Sequence, residues 1–288
     1  MITLTWVVND LAEEGLSSEH GFSMWITTEE GQVLFDTGGT GAVLMGNLAA
    51  LGLDPGALDA IVLSHAHDDH TGGLPALLDR LPSEIPLYAH PTIFRPRYSR
   101  KTGELVDRGM SMARAELSER VSLRLVEQPV EVLPGVWTTG EIRTREKPQG
   151  SSRHHLIPQG GSYVQDPYTD DLSLVLSTGD DRRFLLCGCC HAGLLNTLYQ
   201  VQQTMVGEVV GIAGGVHLVN ASAETIERTL EVLTELPDLR ALWVGHCSGD
   251  AFIEAAQRSL KSITVRRGAA GQQLVLDSPP SGLEVSCG

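Results

Sequence analysis

An α/β fold is predicted, and three observations predict it. Short apolar or alternating runs of strand length recur along the chain, separated by stretches with apolar residues at helical spacing. Clusters of His, Asp, Gly and Cys follow directly on the buried runs, where open α/β sheets hold their ligands. The two halves also rhyme. Leu34-Phe35-Asp36-Thr37-Gly38, a helix and a strand ending at His65 parallel Leu185-Leu186-Cys187-Gly188-Cys189, a helix and a strand leading to His217. The rhyme predicts a pseudo-twofold layout with His65, His217 and His246 on one rim.

In chain order, residues 3–8, 22–27 and 32–35 read as three strands with turns between them. A helix follows Asp36-Thr37-Gly38-Gly39, with Val43, Leu44, Leu48 and Leu51 on one face. Residues 58–63 form a buried strand that ends in Ser64-His65-Ala66-His67-Asp68-Asp69-His70, and Gly72-Gly73 opens a helix through Leu78. Residues 91–109 have no period and carry Arg95, Arg97, Arg100, Lys101 and Arg108 against Glu104 and Asp107. Residues 140–168 are rich in Gly, Pro and Ser and read as a long functional loop. Strands are expected at 172–177, 183–186, 209–212 and 239–244, with helices from about 194 to 204, 222 to 236 and 250 to 260. On the 222–236 helix, Ile226, Leu230 and Leu233 share a face.

Composition bounds the function. The 288 residues carry 21 Lys+Arg against 36 Asp+Glu, and the net charge of −15 argues against coating nucleic acid. No run of about 18 apolar residues exists to cross a membrane. The first residues read as a strand, not a signal peptide. Cys187, Cys189, Cys190, Cys247 and Cys287 are odd in number and clustered, which does not describe a disulfide framework; a cytoplasmic protein is expected. Oligomeric state is not legible.

The chemistry concentrates at residues 65–70. His65, His67, Asp69 and His70 are four potential ligands within six residues, directly after a buried strand. Imidazole and carboxylate suit zinc, manganese or iron better than calcium. One ion would strain so short a loop. Two ions about 4 Å apart would not, with His65 and His67 on one and Asp69 and His70 on the other.

His65-x-His67-x-Asp69-His70-Thr71-Gly72-Gly73-Leu74, preceded by Leu34-Phe35-Asp36-Thr37-Gly38, resembles the signature of the metallo-β-lactamase superfamily. Further segments resemble one subgroup: Glu19-His20-Gly21-Phe22-Ser23, Thr139-Gly140-Glu141-Ile142, Asp170-Asp171-Leu172-Ser173, Gly188-Cys189-Cys190-His191-Ala192-Gly193, Gly214-Gly215-Val216-His217-Leu218 and His246-Cys247-Ser248-Gly249. That subgroup comprises metal-dependent hydrolases and dihydropteroate-synthase-like enzymes that make a dihydropterin joined to ribofuranosylaminobenzene 5′-phosphate. The matches run from about residue 3 to 260.

The resemblance implies a four-layer αβ/βα sandwich of the metallo-β-lactamase type, with a dinuclear site on one edge. It implies one domain over 1–288, with loop insertions at about 91–118 and 140–168. Carried over, His65, His67, Asp69 and His70 are metal ligands, and His246 matches the last histidine motif. The sequence departs from the superfamily twice. Asp170 and Asp171 stand where a third-motif histidine is expected, and Cys189 stands in place of the bridging aspartate. His191 is the favoured replacement imidazole, with the neighbouring cysteines as rivals for the same role; Cys189 is a candidate thiolate ligand.

Other residues are weighed against plainer roles. Asp36 orients a metal-binding histidine or caps a turn. His217 contacts substrate or caps a strand end. His20 and His90 lie on the expected active edge, where a structural role competes with substrate contact. Cys187 and Cys190 read as small apolar thiols. Arg95 and Arg97 would bind a substrate anion, or else belong to a solvated loop.

The expectation is a hydrolase with two divalent ions, zinc first and manganese or iron as alternatives. A bridging hydroxide would attack a small anionic ester, lactone or phosphoester, with Asp69 relaying the proton. The rivals are a pterin-type transferase of the same subgroup, a nuclease disfavoured by the acidic charge, and a metal-bound sensor without turnover.

Overall fold

The computed structural model describes residues 1–82, 84–179 and 181–276, so Cys287 lies outside the described residues. The first half comprises β1 (Ile2–Val8), β2 (Ser23–Thr28), β3 (Gly31–Phe35), α1 (Gly41–Ala50), β4 (Ala60–Val62), α2 (Asp68–Thr71), α3 (Leu74–Leu78), β5 (Pro86–Ala89), β6 (Tyr98–Ser99), β7 (Val106–Asp107), α4 (Arg114–Arg120) and β8 (Ser122–Leu125). The second comprises β9 (Glu131–Leu133), β10 (Val136–Thr138), β11 (His155–Gln159), β12 (Ser162–Gln165), β13 (Ser173–Ser177), β14 (Arg182–Cys187), α5 (Leu194–Thr204), β15 (Glu208–Gly214), α6 (Ala223–Glu235), β16 (Ala241–Val244), α7 (Asp250–Ser259), β17 (Thr264–Arg267) and β18 (Gln273–Leu276).

Two seven-stranded sheets run β18-β1-β2-β3-β4-β5-β8 and β17-β16-β15-β14-β13-β10-β9. In the first, three antiparallel pairings lead into three parallel ones from β3 onward. The second repeats the pattern, with β14 in the place of β3. The pseudo-twofold layout read from the two rhyming segments is therefore the real one.

Strand alternation builds the layers. Val33 and Phe35 of β3 and Phe184 and Leu186 of β14 face each other between the sheets, with Trp6 and Trp243 at ring centroids 5.0 Å apart. The intervening Leu34 packs outward with Leu44, Leu48, Leu74 and Leu77 of α1 and α3. Leu185 packs outward with Leu198, Leu230, Leu233 and Phe252 of α5, α6 and α7. The order is helices, sheet, sheet, helices: a four-layer αβ/βα sandwich.

One expectation needs correction. Residues 140–168 are not a loop throughout, because β11 and β12 pair as an antiparallel hairpin there. That hairpin docks on β6, and β6 on β7, so the two segments expected as insertions complete a four-stranded sheet together. Two-residue strands such as β6 have no period to read; their partners are set by packing. Among the described residues no helix is long and apolar enough to cross a membrane.

Candidate metal centre

Six of the eight strands in the two parallel runs deliver polar groups at their carboxyl ends, where side chains escape the sheet and converge. Asp36 follows β3, Ser64 and His65 follow β4, and His90 follows β5; Gly188 and Cys189 follow β14, His217 follows β15 and His246 follows β16. Asp69 and His70 lie on α2, one helical turn where a bent loop is expected. The backbone is unusual at this edge. Asp36, Cys190, His217, His246 and Tyr168 all take positive φ, a conformation that costs a non-glycine residue about 1–2 kcal/mol. Such strain persists where the surroundings over-determine the geometry.

Asp36 is fully buried and organises the first half of the site. Its Oδ1 accepts from the Ser64 backbone N–H (2.7 Å), and its Oδ2 from Ser64 Oγ (2.6 Å) and His70 Nδ1 (2.7 Å). Gly188 must lack a side chain here, since a Cβ would sit 2.3 Å from Ser64 Oγ and 2.8 Å from Asp36 Oδ2. With its proton given to Asp36, His70 presents a bare Nε2 to the cavity. His65 is held likewise: Nδ1 lies 2.8 Å from Ser64 Oγ, whose proton goes to Asp36, so its Nε2 is bare too.

The inward-turned nitrogens face other polar side chains. His65 Nε2 is 3.0 Å from His67 Nδ1. His191 donates from Nδ1 to the Gly150 carbonyl (2.7 Å), leaving its buried Nε2 without a partner. His65, Cys189 and His191 place their donor atoms within 4.8 Å of one another. Beside them, His70 Nε2 lies 3.2 Å from both His246 Nε2 and Cys189 Sγ. Asp69 Oδ2 is 3.4 Å from His246 Nε2 and 3.9 Å from His70 Nε2. His246 gives its Nδ1 proton to Asp10 Oδ1 at 2.7 Å.

Lone pairs aimed at one another in a buried space are costly unless a cation or proton sits between them. Burial foremost, and then the neighbouring imidazoles, hold His65 and His191 well below the usual histidine range, so protons are disfavoured there. Burial likewise holds His67 well below that range. Burial pushes the Asp69 carboxyl up, but His70 and His246 outweigh it and keep the group ionised. The set of imidazoles, a carboxylate and a thiol suits borderline divalent cations, and Cys189 is common to both groups.

The remaining expected residues scatter. His20 lies at the mouth, its side chain 69% exposed, 2.9 Å from Asp10 Oδ2 and 3.4 Å from Asp69 Oδ2. The His217 ring stands 4.1 Å from that of His191, with an unpartnered Nδ1. His90 takes the plainer role, capping the turn through Thr92. Arg95 is half-buried on the insertion, and its carbonyl accepts from Arg97 Nη1 at 3.4 Å. Arg97 corrects the sequence reading. In place of a solvent-facing anion binder, it is 1% exposed and clamped between Asp166 (2.7 Å) and Asp170 (2.5 Å).

Asp170 in turn accepts from the Ala66 N–H (2.9 Å), between two candidate ligands, and Asp171 from the Ala192 N–H (2.7 Å), next to a third. The aspartates that replace the expected histidine therefore hold ligand loops. Sequence reasoning missed Asp10, His155 and Tyr168. Asp10 had a signal, since it follows β1 much as Asp36 follows β3. Tyr168 stacks on His191 (4.1 Å, 12°), and the His155 ring lies 4.7 Å from that of His67. Burial and the nearby His217 push the His155 imidazole down to about 4.

Comparison with known proteins agrees with this geometry. The family model of the metallo-beta-lactamase superfamily matches residues 18–189. The chain belongs to that superfamily. A 7,8-dihydropterin-6-methyl-4-(beta-D-ribofuranosyl)-aminobenzene-5′-phosphate synthase of Methanocaldococcus jannaschii is 29% identical over 242 residues, covering 81% of this chain and 82% of that protein. The crystal structure of a metal-dependent hydrolase of the beta-lactamase superfamily shares the fold. Its TM-score is 0.82 at 23% identity, over 96% of this chain and 100% of that one. A metallo-beta-lactamase fold protein from Bacillus subtilis shares the fold more loosely, with a TM-score of 0.58 at 12% identity over 95% and 99% of the two chains. The superfamily's reliance on divalent metals suits the two donor groups that this member assembles at its sheet edge.

Proposed function

We propose that this superfamily member is a two-metal hydrolase acting on a small anionic ester, lactone or phosphoester. The observation that carries the reading is the pair of abutting donor groups, whose imidazoles give their far-side protons to Asp36, the Gly150 carbonyl and Asp10 and turn their other ring nitrogens inward. His65, His67 and His191 would hold one divalent ion; Asp69, His70 and His246 would hold the other, with Cys189 shared. Zinc is the favoured ion. Bound there, such ions supply a water nucleophile at neutral pH and polarise the electrophile.

The chain's own groups do the rest. Asp69, kept ionised at the mouth, accepts a proton during attack and returns it to the leaving group. His20 and His217 stand at the rim and orient the substrate anion. Asp36 and Asp10 fix the tautomers of His70 and His246, so neither can turn away during turnover.

A second reading is favoured by one observation, the likeness to the dihydropterin synthase. On that reading the same residues activate an alcohol or phosphate leaving group on the pterin methyl carbon. The group departs as the amine of an aminobenzene ribofuranosyl phosphate forms the new carbon–nitrogen bond and gives up its proton to Asp69. The test strips the chain with a chelator, reloads it with zinc, and assays bis(4-nitrophenyl) phosphate, a generic lactone and the pterin–aminobenzene pair in parallel. Two zinc ions per chain are expected, with turnover lost on stripping, recovered on reloading and absent in His65→Ala. Full turnover by metal-free protein would end both readings, and product from the pterin pair alone would select the second.

A further inference from the structure

We infer that His155 is a catalytic hydrogen-bond donor to the substrate, locked in one tautomer by Tyr168 and carried over the metal centre by the insertion hairpin. The inference rests on the proposed function for its substrate, a group with a carbonyl or phosphoryl oxygen, though not for its geometry.

His155 opens β11 and pairs with Ser99 of β6, so both insertions fix its place. Its ring stands edge-on to His67 at 4.7 Å and 6.4 Å from His191, two imidazoles of the same candidate cation group. Its Nδ1 is taken up by Tyr168 Oη at 2.9 Å, which sets it apart from the imidazoles proposed as ligands. Position beside the centre without membership in it is what a substrate-contacting group requires.

The tautomer follows from hydrogen-bond accounting. Tyr168 is 1% exposed and holds φ 49, a strained backbone for an aromatic residue. Its Oη accepts from the Ser152 backbone N–H at 3.1 Å and lies 2.9 Å from His155 Nδ1. Were Nδ1 to donate, the phenol proton would be buried with no acceptor. The phenol therefore donates to Nδ1, and the neutral ring carries its own proton on Nε2. That N–H is the ring's remaining polar group, on a ring mounted beside the cation cradle. No bond forms or breaks at His155 during reaction. Its N–H hydrogen-bonds to the oxygen on which negative charge develops, a contact whose removal costs about 100-fold in turnover in comparable sites.

The experiment uses zinc-loaded protein and three readouts: zinc content, affinity for inorganic phosphate by calorimetry, and nitrogen-detected histidine tautomers by NMR. Wild type is expected to show His155 protonated on Nε2, and Tyr168→Phe to show mixed tautomers. His155→Phe should keep two zinc ions, bind phosphate about tenfold more weakly, and lose about 100-fold in kcat on bis(4-nitrophenyl) phosphate with KM little changed. His155→Gln, which retains an N–H, should recover part of each loss. If the wild type does not turn over that ester, the tautomer and phosphate measurements still decide the matter. A wild-type ring protonated on Nδ1, phosphate affinity unchanged in His155→Phe, or loss of zinc from that variant would each overturn the inference.

Discussion

Arg97→Ala is expected to cost about 3–5 kcal/mol of folding stability, because it leaves two buried carboxylates facing one another without a counter-charge. In a chain of this size that lowers the thermal midpoint by roughly 10 °C. Asp166 and Asp170 come from the second insertion and its edge, while Arg97 comes from the first, so the triad ties the small sheet to the sandwich. It also reaches the metal centre. Asp170 Oδ2 fixes the Ala66 N–H between His65 and His67, so the variant should bind zinc more weakly as well. The triple variant Arg97→Met, Asp166→Asn, Asp170→Asn removes the charges together and should recover most of the stability, since an uncharged set escapes the desolvation penalty. Denaturant unfolding of the two proteins measures this. A single variant within about 0.5 kcal/mol of wild type, the usual scatter for surface changes, would mean that Arg97 is free to act on substrate after all.

The second large effect is expected at Cys189. Its thiol lies within reach of His65 and His191 on one side and of His70 and His246 on the other. Burial first, and then the neighbouring Cys247, push that thiol well above its ordinary range, so without a cation it stays protonated and is a weak partner. A divalent ion reverses that preference. Cys189→Ala should therefore weaken zinc binding at one of the two proposed sites by about 100-fold or more, beyond the usual effect of changing an outer partner. Cys189→Asp, which restores the bridging residue expected of the superfamily, should regain much of the loss. Cobalt-substituted wild type should show thiolate-to-metal charge-transfer absorption that Cys189→Ala lacks. Two tight zinc ions in Cys189→Ala, with an unchanged cobalt spectrum, would remove the thiol from the centre.

How far the site could be read in advance depended on how local its signals are. Residues 65–70 carry four candidate ligands within one turn after one strand, and that compact pattern survives without any knowledge of partners. The parallel strands β4, β14, β15 and β16 were legible as short apolar runs, and α6 as a stripe at helical spacing. Arg97 was misread because its fate is decided by carboxylates 69 and 73 residues away. A basic loop in the sequence and a buried ion triad in the fold look alike until those partners arrive. His155 and Tyr168 were hidden for the same reason. They lie in a Gly-, Pro- and Ser-rich stretch, and only the docking of one insertion on the other brings them over His67 and His191. Strand β18 was missed too, since its sole named partner is β1 at the far end of the chain.

On the proposed reading, the two donor groups share a pair of cations across Cys189. Crystals of zinc-loaded protein, measured on both sides of the zinc absorption edge, test it most directly. Two anomalous peaks are expected, one enclosed by His65, His67 and His191 and the other by Asp69, His70 and His246, with the Cys189 sulfur bonded to at least one. A map with no peak among these side chains, or with a single peak and the sulfur turned away from it, would contradict the account.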